Sequence, residues 1–107
     1  AYTAYTEINR DYATSQLRYG YSSLTTPNTL YAFDMQSKQQ EVLKQQEVVG
    51  GYEASEYVSE RIFVTARDGA QVPVSLVYKK SLRKASGNPT LLYGYGSYGA
   101  SMDAYFS

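Results

Sequence analysis

The stretch Leu91-Leu92-Tyr93-Gly94-Tyr95-Gly96-Ser97-Tyr98-Gly99 concentrates the residue types that could do chemistry. Gly94, Gly96 and Gly99 spell G-x-G-x-x-G behind an apolar run, a spacing that can let backbone approach a pyrophosphate. That use also needs a helix opening at the last glycine, yet residues 100–107 carry no apolar stripe of helical period. Tyr95, Ser97 and Tyr98 occupy the positions between the glycines, and the bulky tyrosines crowd the room a close-approaching cofactor needs. The nucleotide reading is therefore set aside, and no cofactor is expected. Ser97 invites a second reading, the G-x-S-x-G elbow that presents a nucleophilic serine. It is incomplete, because Tyr95 stands where the first glycine belongs. The chain also contains no histidine and no cysteine. Neither a Ser-His-Asp nor a Cys-His relay can be completed from these residues, and a histidine-ligated metal site is excluded. A third reading remains. Glycines at the carboxyl end of a sheet strand let the backbone turn sharply, and that end is where α/β sites form. A tyrosine held there can direct its phenolic O–H at developing negative charge. The alternative is that Tyr93, Tyr95 and Tyr98 only pack.

The elements around this loop read as two different sheets. In the first half Tyr2, Ala4, Thr6 and Ile8 alternate, then Leu17, Tyr19 and Tyr21. Thr25-Thr26-Pro27-Asn28 reads as a turn cluster. Tyr31, Phe33 and Met35 follow on one face, with Leu30 and Ala32 on the other. Gln36 to Gln39 reads as a second turn, and Glu41 to Lys44 as a short last strand. Short strands joined by close turns form an antiparallel meander, the size of one propeller blade. Such a sheet is poorly stable alone, since nothing covers its faces. Gln45 to Ser55, with Gly50-Gly51, breaks the periodicity and reads as a linker. Tyr57 to Ala66 then alternates again, Arg67-Asp68-Gly69-Ala70 signals a hairpin turn, and Val72, Val74, Leu76 and Tyr78 share a face. Pro73 places this strand toward an edge. Pro89 to Tyr93 is a nearly continuous apolar run, which predicts a strand buried on both faces. No long helix is expected.

Composition narrows the function classes. Lys plus Arg equals Asp plus Glu at 10 each, so no basic excess favours nucleic acid or a membrane surface. No run is long and apolar enough for a membrane-spanning helix. The 13 tyrosines suit half-buried pleated surfaces. A small tyrosine-rich β-sheet interaction module is the reading without enzymatic activity. Lys79, Lys80, Arg83 and Lys84 read as a solvated basic cluster. Glu53, Glu56 and Glu60 are expected to pair with basic residues across a domain interface.

The runs ERIFVTARDGAQVPVSLVYKK (Glu60 to Lys80) and NPTLLYGYGSYGASMDAYFS (Asn88 to Ser107) resemble the prolyl oligopeptidase family of serine peptidases, and within it the oligopeptidase B branch. LRYGYSSLTTPNTLYAFDM (Leu17 to Met35) resembles the same branch. Ser97 and Tyr98 depart from the Y-G-Y-G-G-F typical of prolyl oligopeptidase itself. The resemblance implies a mostly β segment: the last blade of a seven-bladed β-propeller in residues 1–47, a linker in 48–55, and the N-terminal part of an α/β-hydrolase domain in 56–107. It implies that Tyr95 donates to the oxyanion hole, with Gly94, Gly96 and Gly99 shaping its loop. It also implies that the catalytic Ser, Asp and His lie beyond Ser107, so that this segment alone is inactive. The expected substrates are short peptides cleaved after Lys or Arg, or after Pro in the alternative, by a cytoplasmic enzyme needing no metal or organic cofactor.

Overall fold

Alternation of aromatic and small residues dictates the first sheet. In a computed structural model, which describes residues 1–107, the strands β1 (Thr3–Thr6), β2 (Gln16–Ser23), β3 (Thr26–Asp34) and β4 (Gln40–Gln45) form an antiparallel sheet in sequence order. The register sets Tyr19 opposite Tyr31 and Leu17 opposite Phe33, so the expected faces are the observed ones. Tyr19 stacks on Tyr31 at 5.2 Å, Tyr21 meets Tyr31 edge-on at 6.4 Å, and Tyr2 stacks on Tyr21 at 5.4 Å. Each such pair contributes about 0.5–1.5 kcal/mol beyond its area. Desolvation, then the neighbouring Tyr31 and Tyr21, raises the pKa of Tyr19 above the ordinary phenol value. On the opposite face Ala32 is buried. Gly20 lies directly across from Tyr5, whose ring covers it so closely that a Cβ would fall 2.4 Å from Cζ.

Side chains finish the strand ends. Asn9 extends the β1–β2 ladder: its Oδ1 accepts from Arg18 N at 2.7 Å, and its Nδ2 donates to Arg18 O at 3.0 Å. Asp34 closes the β3–β4 turn by accepting the amides of Gln36 and Ser37 at 2.8 and 2.9 Å. The Ser37 and Gln36 backbone bonds hold its carboxyl below the usual carboxylate range.

The first turn differs from expectation. The chain reverses at Leu24 and Thr25, while Pro27 and Asn28 lie within β3. The β2–β3 register shifts between Tyr21 and Ser23. Pro27 sits beside that irregularity, one of the sheet positions where a missing ladder donor is tolerated.

The second sheet is a two-stranded hairpin of β5 (Tyr57–Thr65) and β6 (Gln71–Lys79). Gly69 turns it at φ 88°, and Ala66 N donates to Ala70 O at 2.8 Å. Counting antiparallel pairs two by two from that bond puts Phe63 and Pro73 at a non-hydrogen-bonded pair. The nitrogen of Pro73 therefore faces the outer edge of β6 and removes no ladder bond. Single 3₁₀ turns at Ala54–Glu56 and Lys80–Leu82 are the only helical pieces.

Pro89 to Tyr93 forms no strand, and Leu91 and Leu92 are 91% and 86% exposed. A parallel strand is held by ladders to its neighbours, and nothing in this chain pairs with the segment. The same shortage of partners shows throughout. The accessible surface is 8850 Å², against about 6000 Å² for a compact monomer of this mass. The radius of gyration is 17.6 Å, against about 13 Å for a compact domain of this length.

Candidate active site

Tyr95 lies in an extended, ladder-free segment that leaves the hairpin through a fixed corner. Asn88 makes the corner: its Oδ1 accepts from Lys84 N at 2.9 Å and its Nδ2 donates to Leu82 O at 2.7 Å. Thr90 Oγ1 then donates to Asn88 O at 3.0 Å. Tyr95 is half exposed, between Gly94 and Gly96. Neither of those glycines adopts a left-handed φ, and the space a Cβ would take at each is open. The left-handed backbone comes later, at Tyr98 (φ 55°) and Gly99 (φ 67°), closed by Ala100 N donating to Ser97 O at 3.1 Å. Two consecutive positive φ values are the pattern of a type I′ turn. The tight turn thus falls at Tyr98-Gly99 rather than at Gly94 and Gly96. A bulky residue at positive φ is strained, at a cost of order 1–3 kcal/mol.

No helix follows Gly99, as residues 100–107 form no regular element. The G-x-G-x-x-G spacing therefore lacks the helix N-terminus that would face a pyrophosphate. Two open depressions of about 520 and 570 Å³ lie on the four-stranded sheet, one beside Asn9, Arg10 and Arg18, the other beside Tyr5, Gly20 and Gln45. Neither reaches Tyr95.

The acidic residues do not pair across an interface. Glu56 binds Lys79 at 2.7 Å within the hairpin region, Glu60 accepts the hydroxyl of Tyr78, and Glu53 caps the 3₁₀ turn through Ser55 N at 3.1 Å. These bonds raise the pKa of Tyr78 and Lys79 and lower that of Glu53. Each carboxylate meets its nearest partner along the strand or turn, which costs less ordering than a distant one. The basic cluster is likewise locally engaged: Lys80 Nζ donates to Ser55 O at 2.6 Å, and Arg83 lies 5.5 Å over the Tyr78 ring.

Sequence reasoning missed a junction between the two halves. After Gly99 the chain runs back to the four-stranded sheet. Phe106 N donates to Ser22 Oγ at 3.0 Å, and Thr3 Oγ1 donates to Ala104 O at 3.4 Å. Ser22 is 1% exposed and Ala104 is buried. The Tyr52 ring packs between Phe106 at 5.0 Å and Tyr57 at 5.3 Å, and its hydroxyl donates to Thr25 O at 2.9 Å. Desolvation, then Tyr57 and Glu53, raises the Tyr52 pKa. One signal was available: Tyr52 is the sole aromatic residue of the linker, directly after Gly50-Gly51.

Comparison with known proteins places this geometry. Residues 1–46 match the family model for the prolyl oligopeptidase N-terminal beta-propeller domain. The whole chain aligns with dipeptidyl aminopeptidase BI of Pseudoxanthomonas mexicana at 47% identity, and 98% of it with protease 2 of Moraxella lacunata at 33%; it spans 15% of each relative. Among solved structures, oligopeptidase B from Trypanosoma brucei superposes with a TM-score of 0.87 at 44% identity, and oligopeptidase B from Leishmania major with 0.85 at 42%. Each match covers 99% of this chain and 15% of the other.

Proposed function

The chain belongs to the prolyl oligopeptidase family, and from that premise we propose that it is a segment of a serine oligopeptidase in which Tyr95 supplies an oxyanion donor. The observation that carries this reading is a match along the whole of this chain to peptidase relatives, of which it spans 15%, and the match includes the loop that holds the half-exposed Tyr95. Residues 1–47 are the last blade of a seven-bladed propeller, 48–55 the linker, and 56–107 the opening of the α/β-hydrolase domain. The exposed Leu91 and Leu92 are then central-strand residues awaiting neighbouring strands.

In the complete protein a serine hydroxyl gives its proton to the histidine as its oxygen attacks the peptide carbonyl, and the carbonyl oxygen takes up negative charge. The Tyr95 O–H donates to that oxygen, with a backbone N–H beside the serine as second donor. Collapse expels the amine, which takes the proton back from the histidine, and leaves an acyl-enzyme, which water hydrolyses. The chain has no histidine, so the Ser, Asp and His belong to the remaining length of a parent resembling its relatives. The substrates are short peptides cleaved after Lys or Arg, admitted by the propeller, in the cytoplasm, with no cofactor.

Tyr95→Phe in the full-length parent is the test. It should lower kcat by roughly 10²–10³-fold, the loss expected for one oxyanion donor of about 2.7–4 kcal/mol, with KM little changed. Wild-type-like kcat would remove Tyr95 from the mechanism. The relative named a dipeptidyl aminopeptidase favours a second reading, release of dipeptides. Those named prolyl endopeptidases, at 35% and 36% identity, favour cleavage after Pro. Peptides with internal Arg, internal Pro or a free N-terminal dipeptide separate the three.

A further inference from the structure

The loop between β1 and β2, residues 7–15, stands mostly in solvent, with Ile8 and Tyr12 exposed. Polar bonds fix its shape instead of apolar burial. Asn9 commits its whole amide to main chain: Oδ1 accepts from Arg18 N, and Nδ2 donates to Arg18 O and to Glu7 O at 2.8 Å. Asp11 Oδ1 accepts from Ala13 N at 2.9 Å, and Thr14 Oγ1 accepts from Gln16 N at 3.0 Å. Ser15 Oγ donates to Asp34 Oδ2 at 3.2 Å, and Met35 N donates to Ser15 O at 2.8 Å, which ties the loop to the β3–β4 turn.

This frame carries a pair of arginines. Arg10 and Arg18 line the open depression of about 520 Å³, together with Asp11, Thr14 and Gln16. Neither guanidinium forms an ion pair; the one ion pair of the chain joins Lys79 to Glu56. Neither lies over an aromatic ring, a contact made by Lys79 and Arg83. A guanidinium offers five N–H donors and no acceptor, so this wall is rich in donors and positive. Two such charges at one depression repel, and an anion between them relieves that repulsion. Asp11 is the one carboxylate on the wall, and its Oδ1 is turned to its own loop.

We propose that this depression is a binding site for a compact oxyanion, a carboxylate or phosphate group, held by Arg10 and Arg18. Both groups match the planar guanidinium fork through paired N–H bonds. The volume suits a small solute or the end of a short peptide. The site lies at the opposite end of β2 from the Thr25 turn that Tyr52 touches, about 25 Å away along the strand. It is therefore separate from the Tyr95 loop and does not rest on the peptidase reading.

The test titrates the full-length parent with inorganic phosphate and, separately, with tetraglutamate, by calorimetry at low ionic strength, where exposed charges are least screened. Arg10→Gln and Arg18→Gln should each weaken binding about tenfold, and the double variant should abolish it. Arg18→Lys should recover part of the loss, since it keeps the charge without the fork. Asp11→Asn keeps an oxygen for the Ala13 amide and should tighten binding a few-fold. The bonds from Asn9 to Arg18 use main chain, so the variants should keep wild-type amide exchange over 16–23. Arg10 lies outside the strand and provides the test should a change at Arg18 disturb β2. Either bound probe should slow exchange of the 8–18 amides in the wild type and not in the double variant. Tighter binding of phosphate would point to a phosphorylated solute, and tighter binding of tetraglutamate to an acidic peptide; both support the site. Equal binding by wild type and double variant, no slowing over 8–18, or no heat with either probe would overturn it.

Discussion

Two pairs of residues in the glycine loop do different jobs. Tyr98 and Gly99 take the left-handed backbone, while Gly94 and Gly96 leave Tyr95 unobstructed in an open segment. If all three loop tyrosines only packed, Tyr93→Phe and Tyr95→Phe would behave alike in the parent. The oxyanion reading expects Tyr93→Phe to keep wild-type kcat while Tyr95→Phe does not, which steady-state assays of the two variants decide. Asp34 gives a pH prediction at the same scale. Its carboxyl is lowered mainly by the Ser37 and Gln36 amides, so its folded pKa lies below its unfolded one. Its contribution is complete above the unfolded value of about 3.9 and is lost as pH falls through the lower folded value. Protection of the 35–38 amides in the parent, corrected for intrinsic exchange, should fall across that acid window. Asp34→Asn should flatten the dependence, since the amide oxygen accepts without titrating.

At the scale of elements, turns carry the specificity of each hairpin. Gly69 sits at φ 88°, where a side chain is strained, so Gly69→Ala should destabilise the β5–β6 hairpin by about 1–2 kcal/mol. Exchange of the 57–79 amides in the parent should rise roughly 5–30-fold, the equivalent of that energy. Alternation made most strands legible: the shared face of Leu17, Tyr19 and Tyr21 and that of Val74, Leu76 and Tyr78 are both seen. Turn placement was less so. Pro27 and Asn28 carry turn chemistry yet lie in β3, because a register shift in β2 creates a site beside Pro27 that turn propensity does not encode. The acidic residues mislead for a related reason. Charge shows in sequence, but the partners of Glu56 and Glu60 are set by the β5–β6 register.

For the molecule as a whole, exposed apolar surface is the governing fact. Phe63, Leu91, Leu92 and Tyr93 are all more than half exposed, and only 7 of 107 residues are buried, too few for a self-sufficient core. The isolated chain should therefore unfold with weak cooperativity, bind a hydrophobic dye, and hydrolyse no peptide. A sharp two-state transition with a single partner captured would instead favour the tyrosine-rich interaction module. What the sequence determined by itself was local: strand alternation, the hairpin signal at Asp68-Gly69, the break at Gly50-Gly51, and a loop motif specific enough to indicate the family. These depend on neighbours along the chain, so their physics is written in adjacent residues. What only the tertiary structure decided was the junction of Ser22, Tyr52 and Phe106, and the failure of Pro89 to Tyr93 to form a strand. Both depend on which surfaces meet across large sequence separations: Phe106 lies 84 residues from Ser22, and a strand without neighbours has no ladder to hold it.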